Sequence, residues 1–160
     1  MSYKAASGMS VGHVHLKVSD LDRSIAWYCD VLGLDVMVKY GDQAAFLSAG
    51  GYHHHLGLNT WHSRGGQKPA DGTTGLYHAA FLFPERADLG RAIANLRKHD
   101  VAVTGAADHG VSQAVYLDDP DGNGIELYWD RPMEEWPRDE NEDLILVNDR
   151  LDVDALVALA

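Results

Sequence analysis

The feature that most constrains this chain is that it repeats itself. A shift of 65 residues lays His13 on His78, the first helical run on the second, and Asp35-Val36 on Asp100-Val101 without a gap. With five further residues in the linking loops, Phe46 falls on Tyr116 and Leu56 on Glu126. Each half is one small supersecondary unit whose sheet would expose an apolar face by itself, so the twin units must pack together.

Local patterns say what the unit is. VGHVHLKV (residues 11–18) alternates apolar with polar or histidine side chains, the period of a half-buried strand. Ser19 and Asp20 offer N-caps, and Leu21, Ile25, Tyr28 and Leu32 recur at helical spacing until Gly33 stops the run. DVMVKY and AAFLSAG read as strands turning at Gly41-Asp42, and HHHLGLNTW as another after Gly50-Gly51. A glycine- and proline-bearing stretch, residues 62–75, reads as a linker. The pattern then restarts: LYHAAFLF as a strand, ADLGRAIANLRKHD as a helix with Leu89, Ile93 and Leu96 on one face, then VAV, VSQAVYL and GIELYWD as strands.

The expected fold is α+β. Two tandem βαβββ modules, residues 9–61 and 76–130, make up a single domain of 160 residues, expected as a half-open mixed β-barrel with a shared cleft, whether the modules pair within the chain or swap between chains. Residues 131–160 form a C-terminal tail, acidic at first and apolar at its end, suited to covering a sheet edge or docking on a neighbouring subunit. A homodimer is expected.

Charge narrows the function. A formal net charge of −11 with no basic run argues against nucleic acid and anionic membrane as partners and favours a small molecule or a protein. The single cysteine, Cys29, excludes an intramolecular disulfide framework, and no apolar run reaches membrane-spanning length, so the cytoplasm is the expected compartment. Nine histidines are many for this length.

One carboxylate stands out. Glu126 sits among Ile125, Leu127 and Tyr128, and an unpaired carboxylate inside a strand costs several kcal/mol, so it calls for a cation or a metal. His13 and His78 are equivalent under the repeat, and modules related by a pseudo-twofold axis would bring equivalent positions to one cleft. Two imidazoles and a carboxylate form the facial triad suited to Fe(II) and O₂ chemistry, and Mn(II) fits the same donors. His15 shares the strand face of His13, but Ala80 fills its repeat position.

The words GHVHLKVSDLDRSIAWYCDVLGL, YHAAFLF and DHGVSQAVYLDDPDGNGIELYWD fall in order at the duplicated spacing. Over residues 9–132 the chain resembles the vicinal oxygen chelate superfamily and, within it, the type I extradiol catechol dioxygenases. The resemblance implies Fe(II) held by His13, His78 and Glu126, and a catechol-type substrate opened by O₂ beside its hydroxyls. It implies acid and base roles for His54, His109 and Tyr116. Tyr116 lies ten residues before Glu126, His109 seven before Tyr116, and His54 two before Leu56. Strand alternation from Leu56 points His54 into the cleft, and His53 and His55 away. Lyases and isomerases of the superfamily place a fourth protein ligand at the counterpart of Glu126, read here as Leu56, which cannot bind metal. The alternatives are a metal-dependent glyoxalase-type lyase or isomerase and a metal-free drug-binding resistance protein.

Overall fold

The computed structural model describes residues 2–160. The chain forms two compact units, one from residues up to Cys29 together with Gly33–Gln67, the other from Asp30–Leu32 together with Lys68–Ala160. Both have the element order βαβββ.

In the first unit, β1 (Val14–Lys17) leads into α1 (Leu21–Asp30), followed by β2 (Asp35–Tyr40), β3 (Ala44–Ser48) and β4 (Leu56–Asn59). Asp20 starts the helix, its carboxylate accepting the Arg23 N–H at 3.0 Å. Gly33 ends the run in a left-handed conformation (φ 72°) that a residue with a Cβ adopts only at a cost, and its N–H returns to the Cys29 carbonyl. The sheet runs β1-β4-β3-β2, with β1 and β4 parallel and the other pairs antiparallel. Leu16, Val18, Leu21, Tyr28, Leu47, Leu56 and Leu58 are buried.

The second unit repeats the topology. β5 (Ala79–Leu82), α2 (Arg86–Lys98), β6 (Gly105–Asp108), β7 (Ser112–Asp118) and β8 (Gly124–Asp130) give the sheet order β5-β8-β7-β6. Strand β5 is β1 displaced by 65 residues at both ends. Leu89, Ile93 and Leu96 of α2 are fully buried, and α2 packs on β8. A 3₁₀ turn (Met133–Glu135) and a short helix α3 (Val153–Val157) close the chain, with α3 against α2. Among the described residues no helix is long and apolar enough to cross a membrane.

Two expectations are corrected. The strand anticipated at Val101–Val103 forms instead at Gly105–Asp108. Residues 101–103 are spent leaving α2, with the Val101 N–H on the Leu96 carbonyl, and pairing with β7 begins where the Thr104 N–H meets the Tyr116 carbonyl. The second correction is one of register. β1 pairs Val14 with Leu56 and His15 with Gly57, whereas β5 pairs Ala79 with Ile125 and Ala80 with Glu126. Phe46 faces Gly57 as Tyr116 faces Glu126. Gly57, not Leu56, is the counterpart of Glu126, because the spacing between equivalent strands is one residue shorter than the gapped repeat implied.

Candidate metal centre and its supporting residues

In the second unit three strands converge on Glu126. Ala80 is its parallel neighbour on β5 and Tyr116 its antiparallel neighbour on β7, so both share its face of the sheet. His78 immediately precedes β5. Its Nε2 is 2.8 Å from Glu126 Oε2, and the Glu126 side chain is only 13% exposed. The Tyr116 hydroxyl donates to the other carboxylate oxygen at 3.2 Å. Gly105 lies opposite Tyr116 on β6, where a Cβ would make only ordinary van der Waals contact with the phenol ring at 3.5 Å.

His109 follows β6 in the turn to β7. Its Nε2 lies 2.8 Å from the Tyr116 hydroxyl and its Nδ1 3.0 Å from the Val147 carbonyl oxygen. His78, Glu126, Tyr116 and His109 therefore form one unbroken line of polar contacts. Burial, then the neighbouring Glu126 carboxylate, pushes the Tyr116 phenol up to about 12, which keeps it a proton donor at neutral pH.

The turn carrying His109 is braced from below. Asp108 accepts the Gly110 N–H, the Gln113 side chain and the Arg131 guanidinium, and Arg86 in turn donates to the buried Gln113. Burial alone would raise the Asp108 carboxyl; Gln113, the Gly110 N–H and Arg131 together outweigh it and hold the group below its usual range. Neither this brace nor Val147 was anticipated from the sequence. The only clue was an acid directly preceding His109.

The first unit has its own cluster of histidines. The rings of His13 and His54 lie 4.3 Å apart, and His54 packs edge-on against Phe46 at 5.0 Å. The alternation argument for His54 fails, since β4 begins only at Leu56, whose side chain is fully buried in the core. His54 reaches His13 because it lies in the irregular segment before the strand, where alternation does not apply. His53 is not turned away either: its Nδ1 is 2.7 Å from that of His54. His55 does diverge, onto Ser48. Burial first, then the adjacent histidines, lowers the His54 pKa and favours the neutral ring.

Among the described residues no three His, Cys, Asp or Glu side chains already stand as a complete cage. The donors within the second unit nonetheless suit an ion. An imidazole nitrogen and a carboxylate oxygen about 3 Å apart match two adjacent ligands that each lie about 2.0–2.2 Å from one metal. His78 Nδ1 is buried without a hydrogen-bond partner among the described residues, so Nε2 is the nitrogen with an established neighbour.

Comparison with known proteins agrees with this architecture. The chain is 41% identical over 147 residues to a catechol-2,3-dioxygenase of Bacillus subtilis, covering 92% of this chain and 50% of that protein. It is 33% identical over 120 residues to biphenyl-2,3-diol 1,2-dioxygenase 3 of Rhodococcus globerulus, covering 75% of this chain and 63% of the other. The chain thus spans about half the length of the Bacillus relative and under two thirds of the Rhodococcus one. Among solved structures, a glyoxylase/bleomycin resistance protein/dioxygenase domain from Frankia sp. EAN1pec superposes with a TM-score of 0.61 at 28% identity, over 79% of this chain and 100% of that one. Since the family model also matches residues 10–127, the chain belongs to the glyoxalase/bleomycin resistance protein/dioxygenase superfamily, the vicinal oxygen chelate proteins.

Proposed function

We propose that the chain is an extradiol dioxygenase that opens a catechol-type aromatic ring with O₂, using a mononuclear Fe(II) held by His13, His78 and Glu126. The observation that carries this reading is the contact line His78–Glu126–Tyr116–His109, which joins two of the proposed ligands to a phenol and an imidazole able to move protons. The names of the Bacillus and Rhodococcus relatives support it. So does Gly57 at the counterpart of Glu126, which offers no fourth protein ligand of the kind expected in a lyase or isomerase.

Fe(II), when bound, supplies the one-electron chemistry that lets O₂ react with an aromatic diol; the donor set accepts Mn(II) as well. The remaining steps fall to side chains. His54, kept neutral, takes a proton from the catechol. Tyr116 holds a substrate oxygen through its hydroxyl, and His109 handles the proton needed as the ring opens. Both oxygen atoms of O₂ end in the product, a yellow semialdehyde acid.

The test is O₂ uptake with catechol or 2,3-dihydroxybiphenyl on protein loaded anaerobically with Fe(II), with elemental analysis of the protein as purified. Uptake matched by a growing yellow chromophore is expected. Turnover without O₂ on bound nickel or zinc would replace this reading with a lyase or isomerase, and a protein that takes up no metal would replace it with a binding protein.

A further inference from the structure

We propose that the C-terminal tail is part of the proton machinery: through its carbonyl, Val147 positions His109 and fixes which ring nitrogen carries the hydrogen. The family-model match ends at residue 127, before the tail begins.

The argument is a count of donors. A carbonyl oxygen can only accept, so the 3.0 Å contact between Val147 and His109 Nδ1 requires the hydrogen on Nδ1. A neutral ring then presents a lone pair at Nε2. Tyr116 has one hydroxyl hydrogen and two acceptors within reach, His109 Nε2 at 2.8 Å and Glu126 Oε1 at 3.2 Å. That hydrogen lies on the Glu126 contact, and with the Nδ1–H tautomer enforced the lone pair at Nε2 makes His109 the competing acceptor for it. His109 thus enters the reaction as an acceptor and gives back, when the ring opens, only a proton it has first taken at Nε2.

The tail is built to hold this contact. The Val147 N–H donates to the His109 carbonyl at 3.1 Å, and Asp108 and Asp149 exchange both backbone hydrogen bonds at 2.9 Å. An antiparallel bridge between Asp108 and Asp149 thus flanks His109, and the Asp108 carboxylate holds the following turn through the Gly110 N–H. Beyond it α3, capped by Asp152 on the Ala155 N–H at 3.0 Å, anchors the chain end on α2.

The proton role of His109 rests on the ring-cleavage reading; the hydrogen-bond geometry does not. The experiment separates them. In the full chain, free of paramagnetic iron, ¹⁵N-histidine NMR identifies the His109 tautomer, its signals assigned by their loss in His109→Gln. Two proteins are compared: Asn148→Ala, and the same position carrying lactic acid, whose ester linkage makes the Val147 carbonyl a weaker acceptor. Asn148→Ala is expected to show the Nδ1–H form, and the ester a shift toward Nε2–H. With Fe(II) and catechol, the ester should lower kcat about 3- to 10-fold with KM little changed, as expected for weakening one hydrogen bond. An Nε2–H tautomer in Asn148→Ala, or an ester that alters neither tautomer nor kcat, overturns the proposal. A tautomer shift in a protein that cleaves no catechol would leave the tail contact standing and sink the dioxygenase reading instead.

Discussion

His15 lies directly over Gly57: a Cβ added at Gly57 would come within 2.8 Å of the His15 ring. At the equivalent pair of positions the second unit has Ala80 beside Glu126. Large and small residues have exchanged strands between the two repeats. The volume that a carboxylate uses in one unit is filled by an imidazole in the other, which gives a physical reason why only one half can present a glutamate from its last strand.

Gly57→Ala should therefore destabilise the fold by about 1–3 kcal/mol, the ordinary cost of overpacking a close contact. His15→Ala should relieve it, since the crowding atoms belong to that ring. A double-mutant cycle by urea denaturation checks this, and additive effects would show that the two side chains do not compete for one space.

Gly90, in the middle of α2, gives a second case where a small residue marks a contact. Helix propensity alone favours alanine there by about 1 kcal/mol. Yet a Cβ at Gly90 would collide with the Leu156 carbonyl oxygen of α3. Gly90→Ala should lower stability despite its better propensity and loosen the tail, read as a lower Tm together with faster proteolysis after residue 131. Stabilisation instead would mean that α3 does not depend on this close approach.

These cases show what the sequence made legible. The repeat, the helices and most strands follow from period and turn chemistry, and β5 falls where the 65-residue shift puts it. The meeting of His78, Tyr116 and Glu126 was accessible because strand neighbours follow from spacing. The Leu56/Gly57 register was not, since one residue of loop length changes which side chain faces the site and leaves the apolar pattern of β4, all four residues buried, unaltered. The backbone carbonyl of Val147 leaves no trace in residue identity at all.

Asp108 should make stability depend on pH. Its folded pKa is lowered, so its contribution is present above the unfolded value near 3.8 and is lost as pH falls through the still lower folded value. Asp108→Asn should cost about 1–3 kcal/mol at pH 7, because Arg131 and the Gly110 N–H lose a charged partner. That difference should shrink as pH falls below about 3.8, where the unfolded chain's carboxyl protonates before the folded one does. Denaturation at pH 7 and pH 3 decides, and a gap that stays constant would show that the carboxylate charge is not what the network uses.

The proposed ligands and proton carriers should separate by phenotype. Glu126→Ala removes the carboxylate 2.8 Å from His78 Nε2 and should abolish iron retention, measured by elemental analysis after anaerobic loading and desalting. His109→Phe leaves His78 and Glu126 in contact, so iron should stay. Its ring no longer exchanges a proton with Tyr116, however, and turnover should fall about 10²- to 10⁴-fold, the usual worth of a positioned acid or base. Iron content and O₂ uptake on the two variants together distinguish holding the metal from moving the proton. Wild-type turnover in His109→Phe would remove His109 from the mechanism while leaving the metal assignment intact, and full iron content in Glu126→Ala would remove Glu126 from the ligand set.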